Sequence, residues 1–205
     1  MNPAASSLRA ANLPVVLVPV GVDEDALDAC LAALDAGTPA GTRVWLADDA
    51  QAGPRGTAII EAWLARTPLQ AAHTRRASPI GEAAHIDEAL RACGDGDVAI
   101  LASDARPAPG WLQQLADCLA RDAAIATATP WSNAGEAASW PRIGEIVALG
   151  EEASRLARAC AQLPAQHPEC LRYRVLRPTE RRGEVAHTDS RRPMQTQQDL
   201  KAVRV

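Results

Sequence analysis

The sequence predicts an α/β domain built on a mostly parallel sheet with helices on both faces. Unbroken apolar runs such as Val15-Val16-Leu17-Val18-Pro19-Val20 have the composition of strands buried on both sides. They alternate with longer segments whose apolar residues recur at helical spacing. The strands are therefore separated by connections long enough for the crossovers that parallel pairing requires. A length of 205 residues suits one such domain with tails.

Residues 1–12 read as an N-terminal tail, and the run from Val15 to Val20 is the first strand. Asp23 can cap the helix that follows, in which Leu27, Cys30, Leu31 and Leu34 share one face. Gly37 and Pro39 stop it, and Arg43-Val44-Trp45-Leu46-Ala47 forms a second strand running into Asp48-Asp49. A helix over residues 56–66 turns Ile59, Ile60, Trp63 and Leu64 inward, and another spans Ile80 to Cys93. Asp97 to Ala102 is a strand, Trp111 to Arg121 an amphipathic helix after Gly110, and Ala124 to Ala128 a strand. Leu156, Cys160 and Leu163 mark a last helix over 151–163. The predicted order is strand, helix, strand, helix, helix, strand, helix, strand, and then helix.

Beyond Pro164 no period of two or 3.6 is sustained, and residues 165–205 are rich in Arg, Pro, Gln and Thr, which predicts a basic tail without a packed core. The core is built of small and branched side chains, since the chain holds five Trp and one Tyr but no Phe. A net charge of −4 without a clustered basic face argues against nucleic acid as a partner. The arginines at 172, 174, 177, 181, 182, 191 and 192 leave open either peripheral contact with an anionic membrane face or a solvated tail. The five cysteines form no C-x-x-C pair, which is the usage of reduced, packed thiols. With no run long enough to cross a membrane and no signal-peptide layout in the sequence, the expected location is cytoplasmic.

Asp104 stands where a buried strand gives way to a proline-punctuated turn, the position at which open α/β sheets place ligand chemistry. Four features occur in order: Val18-Pro19-Val20 closing the first strand, Asp48-Asp49 closing the second, Asp104, and Pro107-Ala108-Pro109-Gly110-Trp111-Leu112. Ala126-Thr127-Ala128-Thr129-Pro130-Trp131-Ser132-Asn133 adds a strand with a Pro-x-Ser-Asn segment. With these motifs, residues 13–164 resemble the nucleotide-sugar-binding half of a family 2 glycosyltransferase of the GT-A fold.

The resemblance implies transfer of a sugar from a nucleotide-diphosphate sugar to a glycan, lipid or protein hydroxyl. It implies that Asp49 meets the base, that Pro19 and Gly21 border the nucleotide, and that Asp104 is the surviving carboxylate of a metal-binding D-x-D motif, whose hard oxygen suits Mg²⁺ or Mn²⁺. Two departures stand out: Pro19-Val20-Gly21-Val22 lacks the family's usual aromatic residue, and Ala102 replaces the first acidic residue of D-x-D. The catalytic base is unassigned, because the acidic acceptor-side segment expected after Pro164 does not follow. The tail then reads as a replacement for that half, by a shifted reading frame or in a naturally shortened module, and the chain as truncated.

Other readings of these residues remain open. Asp48-Asp49 can begin a turn through local hydrogen bonds, Asp104 can orient its own turn, and Ser132 and Asn133 can cap or turn rather than bind. Trp111 suits core packing better than sugar stacking, and His73 and His85 have no metal-ligand partner in the sequence pattern. A non-catalytic nucleotide-sugar-binding module, or an α/β domain that contacts a partner protein, is the alternative to an enzyme.

Overall fold

The computed structural model describes residues 13–121, 125–130 and 132–133, and the backbone of 171–175. The expected helix over 151–163 and the boundary at 164 lie outside the described residues. β1 (Val15–Val20), β2 (Arg43–Asp48), β3 (Gln70–Arg75) and β4 (Val98–Ile100) form a four-stranded sheet in the order β3-β2-β1-β4, with every neighbouring pair parallel. The helices between them are α1 (Glu24–Gly37), α2 (Pro54–Leu64) and α3 (Glu82–Ala92), and α4 (Trp111–Arg121) follows β4.

Alternation along the strands divides the core into two layers. Val16, Val18, Val20, Val44 and Leu46 pack with Leu27, Leu31 and Leu34 of α1 and with Ile60 and Trp63 of α2. Leu17, Ala47 and Val98 face the other way, onto Ala89 and Leu90 of α3. Helices thus cover both faces, as expected. The right-handed crossover rule explains the division, because α1 and α2 carry the chain in one direction along the sheet and α3 carries it back past β1. Trp63 is fully buried, and truncating such a side chain costs about 3–5 kcal/mol.

Local signals set the ends of the elements. Asp23 caps α1 by accepting the Ala26 N–H at 2.9 Å, with Glu24 and Asp25 in the first turn. α2 begins at Pro54, two residues before the expected Gly56, because proline fits the first helical position, where an N–H has no partner. α3 begins at Glu82 rather than Ile80, since Gly81 has a φ of 93° that breaks the helical run.

Pro19 lies inside central β1 without harm to the ladder. The Leu17 carbonyl accepts from Leu101 N–H, so residues 17 and 19 both face the β4 side, and β4 ends at Ile100 before Pro19 is reached.

Three expectations are corrected. The sequence order omitted β3, which stands between α2 and α3; its residues Gln-Ala-Ala-His-Thr-Arg are exposed or half-buried and carry no apolar run. Among the described residues it is an edge strand, paired with β2. β5 (Ile125–Pro130) does not extend the parallel sheet; it pairs antiparallel with β6 (Leu171–Val175), in the segment read as patternless. β5 packs on α4 through a cluster of Leu115, Cys118, Ile125 and Ala128.

Candidate functional site

The strand order reverses between β1 and β4. The connections after β1 and β2 lead toward one side of the sheet, and the return through α3 places β4 on the other. Open α/β sheets bind their ligands at the carboxyl ends of the strands beside such a reversal. Pro19 and Gly21 end β1, Asp48 and Asp49 end β2, and Ser103 and Asp104 follow β4, so the candidate residues converge on this edge.

Asp48 has no exposed surface and is fully employed. Its Oδ1 accepts the N–H groups of Gln51 at 2.7 Å and Ala52 at 3.2 Å, and its Oδ2 accepts from Arg75 Nη1 at 2.7 Å. The same Arg75 nitrogen donates to the Ala52 carbonyl at 2.7 Å, so the turn after β2 is clamped from both sides. Ala50, within that turn, has a φ of 58°, a left-handed conformation costing about 1–2 kcal/mol for a residue with a Cβ.

Asp49 is also buried. Oδ1 accepts from Ile80 N–H at 2.9 Å, and Oδ2 from Ile80 at 3.1 Å and Gly81 at 2.8 Å, which ties the β2 end to the entrance of α3. Arg76 Nε lies 3.8 Å and His85 Nδ1 4.0 Å from Oδ1. Neither ring nitrogen of His85 has a hydrogen-bond partner among the described residues, and His85 is only 7% exposed. The sequence separated His85 from the site; the first turn of α3 brings it there.

The β4 corner is built differently. Ala105 N–H donates to the Ala102 carbonyl at 3.0 Å, closing a turn with Ser103 and Asp104 at its centre. The Gly21 N–H donates to Ser103 Oγ at 2.9 Å, and the Cys30 thiol lies 3.7 Å from the Ala102 oxygen. A Cβ on Gly21 would stand 2.9 Å from Ser103 Oγ, so glycine is required for this approach. The Asp104 carboxylate is exposed and has no hydrogen bond or ion pair among the described residues. Its turn is held by the backbone and by Ser103 instead. Burial, and then the Asp104 charge, push the Cys30 thiol up to about 12.

Among the described residues no three His, Cys, Asp or Glu side chains gather to hold a metal. Asp104 alone, with water and substrate phosphates as the remaining ligands, fits the way Mg²⁺ is commonly held. The N-terminus of α2 is already filled by an internal anion, because Glu24 Oε1 accepts the Gly56 N–H at 2.9 Å. Among the described residues Val22, 71% exposed, and Ile80, 41% exposed, are the large apolar side chains left open; they follow the end of β1 and precede the start of α3.

Trp111 lies elsewhere. Its indole N–H donates to Thr38 Oγ1 at 3.2 Å, beyond the C-terminus of α1. α1 starts at the carboxyl edge and runs back to the opposite edge of the sheet, so Trp111 is packing, in contact with both the main core and the α4–β5 cluster.

The sequence gives no warning of Ser103, whose bond spans 82 residues; the one available signal is its place between Ala102 and Asp104. Among the described residues Cys30, Cys93 and Cys118 are free thiols. No helix among the described residues is long and apolar enough to cross a membrane.

The sequence matches the Glycosyl transferase family 2 profile over residues 15–183. That span continues past 164 and takes in β6. A solved mannosyltransferase from Pyrobaculum calidifontis, in complex with GDP-Man and Mn²⁺, is similar at 18% identity and a TM-score of 0.47, the match covering 63% of this chain and 43% of that one. This chain therefore spans less than half the length of that relative. No curated protein matches the sequence.

Proposed function

The chain belongs to glycosyl transferase family 2, and on that premise we propose that the crevice between β1 and β4 binds the nucleotide-diphosphate part of a donor sugar. The observation that carries this reading is the exposed, uncommitted Asp104 carboxylate at the point where the strand order reverses. Pro19 and Gly21 border the nucleotide. Asp49 marks the base end, where it holds the Ile80–Gly81 backbone beside which the base would lie. Val22 and Ile80 offer the base apolar surface in place of an aromatic ring.

Asp104 would hold Mg²⁺ or Mn²⁺ against the diphosphate, and the ion would supply charge neutralisation for a departing nucleotide. The chain's own contribution is orientation: a turn pinned to β1 presents one carboxylate at a fixed place, which limits the freedom lost on binding. Transfer to a glycan, lipid or protein hydroxyl also needs a base for the acceptor proton, and none of the described residues is assigned that task. A module that binds without transferring is the second reading, favoured by Ala102 standing where an acidic residue would help hold the ion.

Thermal unfolding with ADP, GDP and UDP, each with and without Mn²⁺, tests the proposal. At a ligand concentration near 100 times its Kd, binding stabilises the fold by about 2.7 kcal/mol. The Mn²⁺-dependent part disappears in Asp104→Ala. Unchanged melting with every diphosphate would sink the reading, and stabilisation without turnover of any sugar donor would select the binding module.

A further inference from the structure

We propose that Ser103 is a positioning residue that sets the Mn²⁺-dependent affinity of the site by locking the Asp104 turn to the end of β1. The inference rests on the donor-site reading above and adds the device that aims Asp104. Ser103 is buried, and its hydroxyl oxygen accepts from a residue 82 positions away, the one that borders the proposed nucleotide. The bond therefore joins two loops that otherwise leave the sheet on different strands.

Three restraints fix the turn. Leu101 N–H is bonded to the Leu17 carbonyl at 2.9 Å, Ala102 and Ala105 close the turn at 3.0 Å, and Gly21 N–H meets Ser103 Oγ at 2.9 Å. The first two hold the backbone of β4 and its turn. Among the hydrogen bonds of the described residues the third joins the turn to the loop carrying Gly21 and Val22, while the Cys30 thiol, 3.7 Å from the Ala102 oxygen, adds a contact from α1. Without it, the Asp104 carboxylate and the β1 loop move independently, and an ion bridging Asp104 to a diphosphate has to order both on binding. Gly21 completes the fit, since any side chain there would press on Ser103 Oγ.

The arrangement separates two kinds of affinity. Contacts with the base and ribose at the β1 and β2 ends do not pass through Asp104, whereas the metal-dependent part does. Loss of the Ser103 hydroxyl is thus expected to act on the metal-dependent part.

The test uses the full chain as wild type, Ser103→Ala and Ser103→Thr, with ADP, GDP and UDP titrated in Mn²⁺ and again in a chelator. The Gly21 amide is followed by hydrogen exchange. Ser103→Ala is expected to weaken Mn²⁺-dependent binding about tenfold, the scale of one hydrogen bond. Metal-free binding falls by much less, since there only the freed Gly21 loop is at stake, Gly21 exchange accelerates, and Ser103→Thr, which keeps the oxygen, restores both affinity and protection. Ser103→Ala binding as wild type does in Mn²⁺ would overturn the proposal, as would equal loss with and without metal. If Ser103→Ala unfolds, an unprotected Gly21 amide in the wild-type protein with Mn²⁺ and diphosphate would overturn it. A wild-type chain that binds none of the diphosphates removes the donor-site reading itself, and the role of Ser103 with it; a wild type that binds while Ser103→Ala matches it removes only the latter.

Discussion

The ends of β2 and β4 carry the same chemical group in opposite conditions. At β2, Asp48 and Asp49 are buried and accept from five backbone and side-chain partners: Gln51, Ala52, Arg75, Ile80 and Gly81. At β4, Asp104 is exposed, and its carboxylate has no partner among the described residues. A buried carboxylate survives only when its lone pairs are satisfied, so its energy is committed to the fold. An exposed one held on a fixed turn keeps its capacity for a ligand. In the proposed donor site the two corners would thus divide the labour, β2 as packed wall and β4 as the carboxylate open to a ligand.

The sharpest way to break this contrast is to remove Asp48. Asp48→Ala leaves the Gln51 and Ala52 N–H groups and Arg75 without their acceptor, and is expected to lower unfolding stability by about 3 kcal/mol in a urea titration. A loss below about 1 kcal/mol would mean that solvent replaces these bonds and the β2 corner is no more committed than the β4 corner. Gly81→Ala strikes the same wall from the other side. A φ of 93° at that residue is poorly tolerated once a Cβ is present, so a cost of about 1–2 kcal/mol is expected by the same measurement.

Cys30 tests what lies beneath the β4 corner. Its folded thiol keeps the proton up to about 12, whereas an ordinary thiol releases it near 9. Between these values the unfolded chain binds fewer protons than the folded one, so stability present below pH 9 is lost as pH rises toward 12. The slope from this one proton is about 1.4 kcal/mol per pH unit. Cys30→Ala is expected to remove that component from the pH dependence of unfolding, and an unchanged alkaline slope would show that the thiol is not shielded. The smallest effect belongs to Asp104→Ala, for which stability without ligand changes by less than about 0.5 kcal/mol. A larger loss would erase the distinction between the two corners.

Strands with a buried identity were legible in the sequence. The apolar runs of β1, β2 and β4 sit inside two packed layers, and the pattern that marks them is the same burial that stabilises them. β3 was illegible for the converse reason: an exposed edge strand needs only backbone bonds to β2, and its side chains are under no demand to be apolar. β6 likewise pairs in a segment where composition announces no core. At the site, the strand ends could be placed from the pattern, but the division of work among Asp48, Asp49 and Asp104 could not. It depends on which backbone N–H groups each carboxylate meets, and Ile80, Gly81 and Arg75 all lie well away in sequence from the residues they satisfy. Ser103 is the extreme case, since its partner Gly21 lies 82 residues away.

The strand order also has a consequence in time. β1 meets β2, and β2 meets β3, after connections of one helix each, but β1 meets β4 only after the whole of α1, β2, α2, β3 and α3 has been made. Closing that loop, about three times longer, costs about 1 kcal/mol more in chain entropy. During refolding the Arg76 amide, bonded to Asp48, is therefore expected to gain protection in pulse-labelling exchange before the Leu101 amide, bonded to Leu17. The proposed donor crevice is then the last seam of the sheet to close, and a nascent chain would have its scaffold before it has any place to hold a nucleotide.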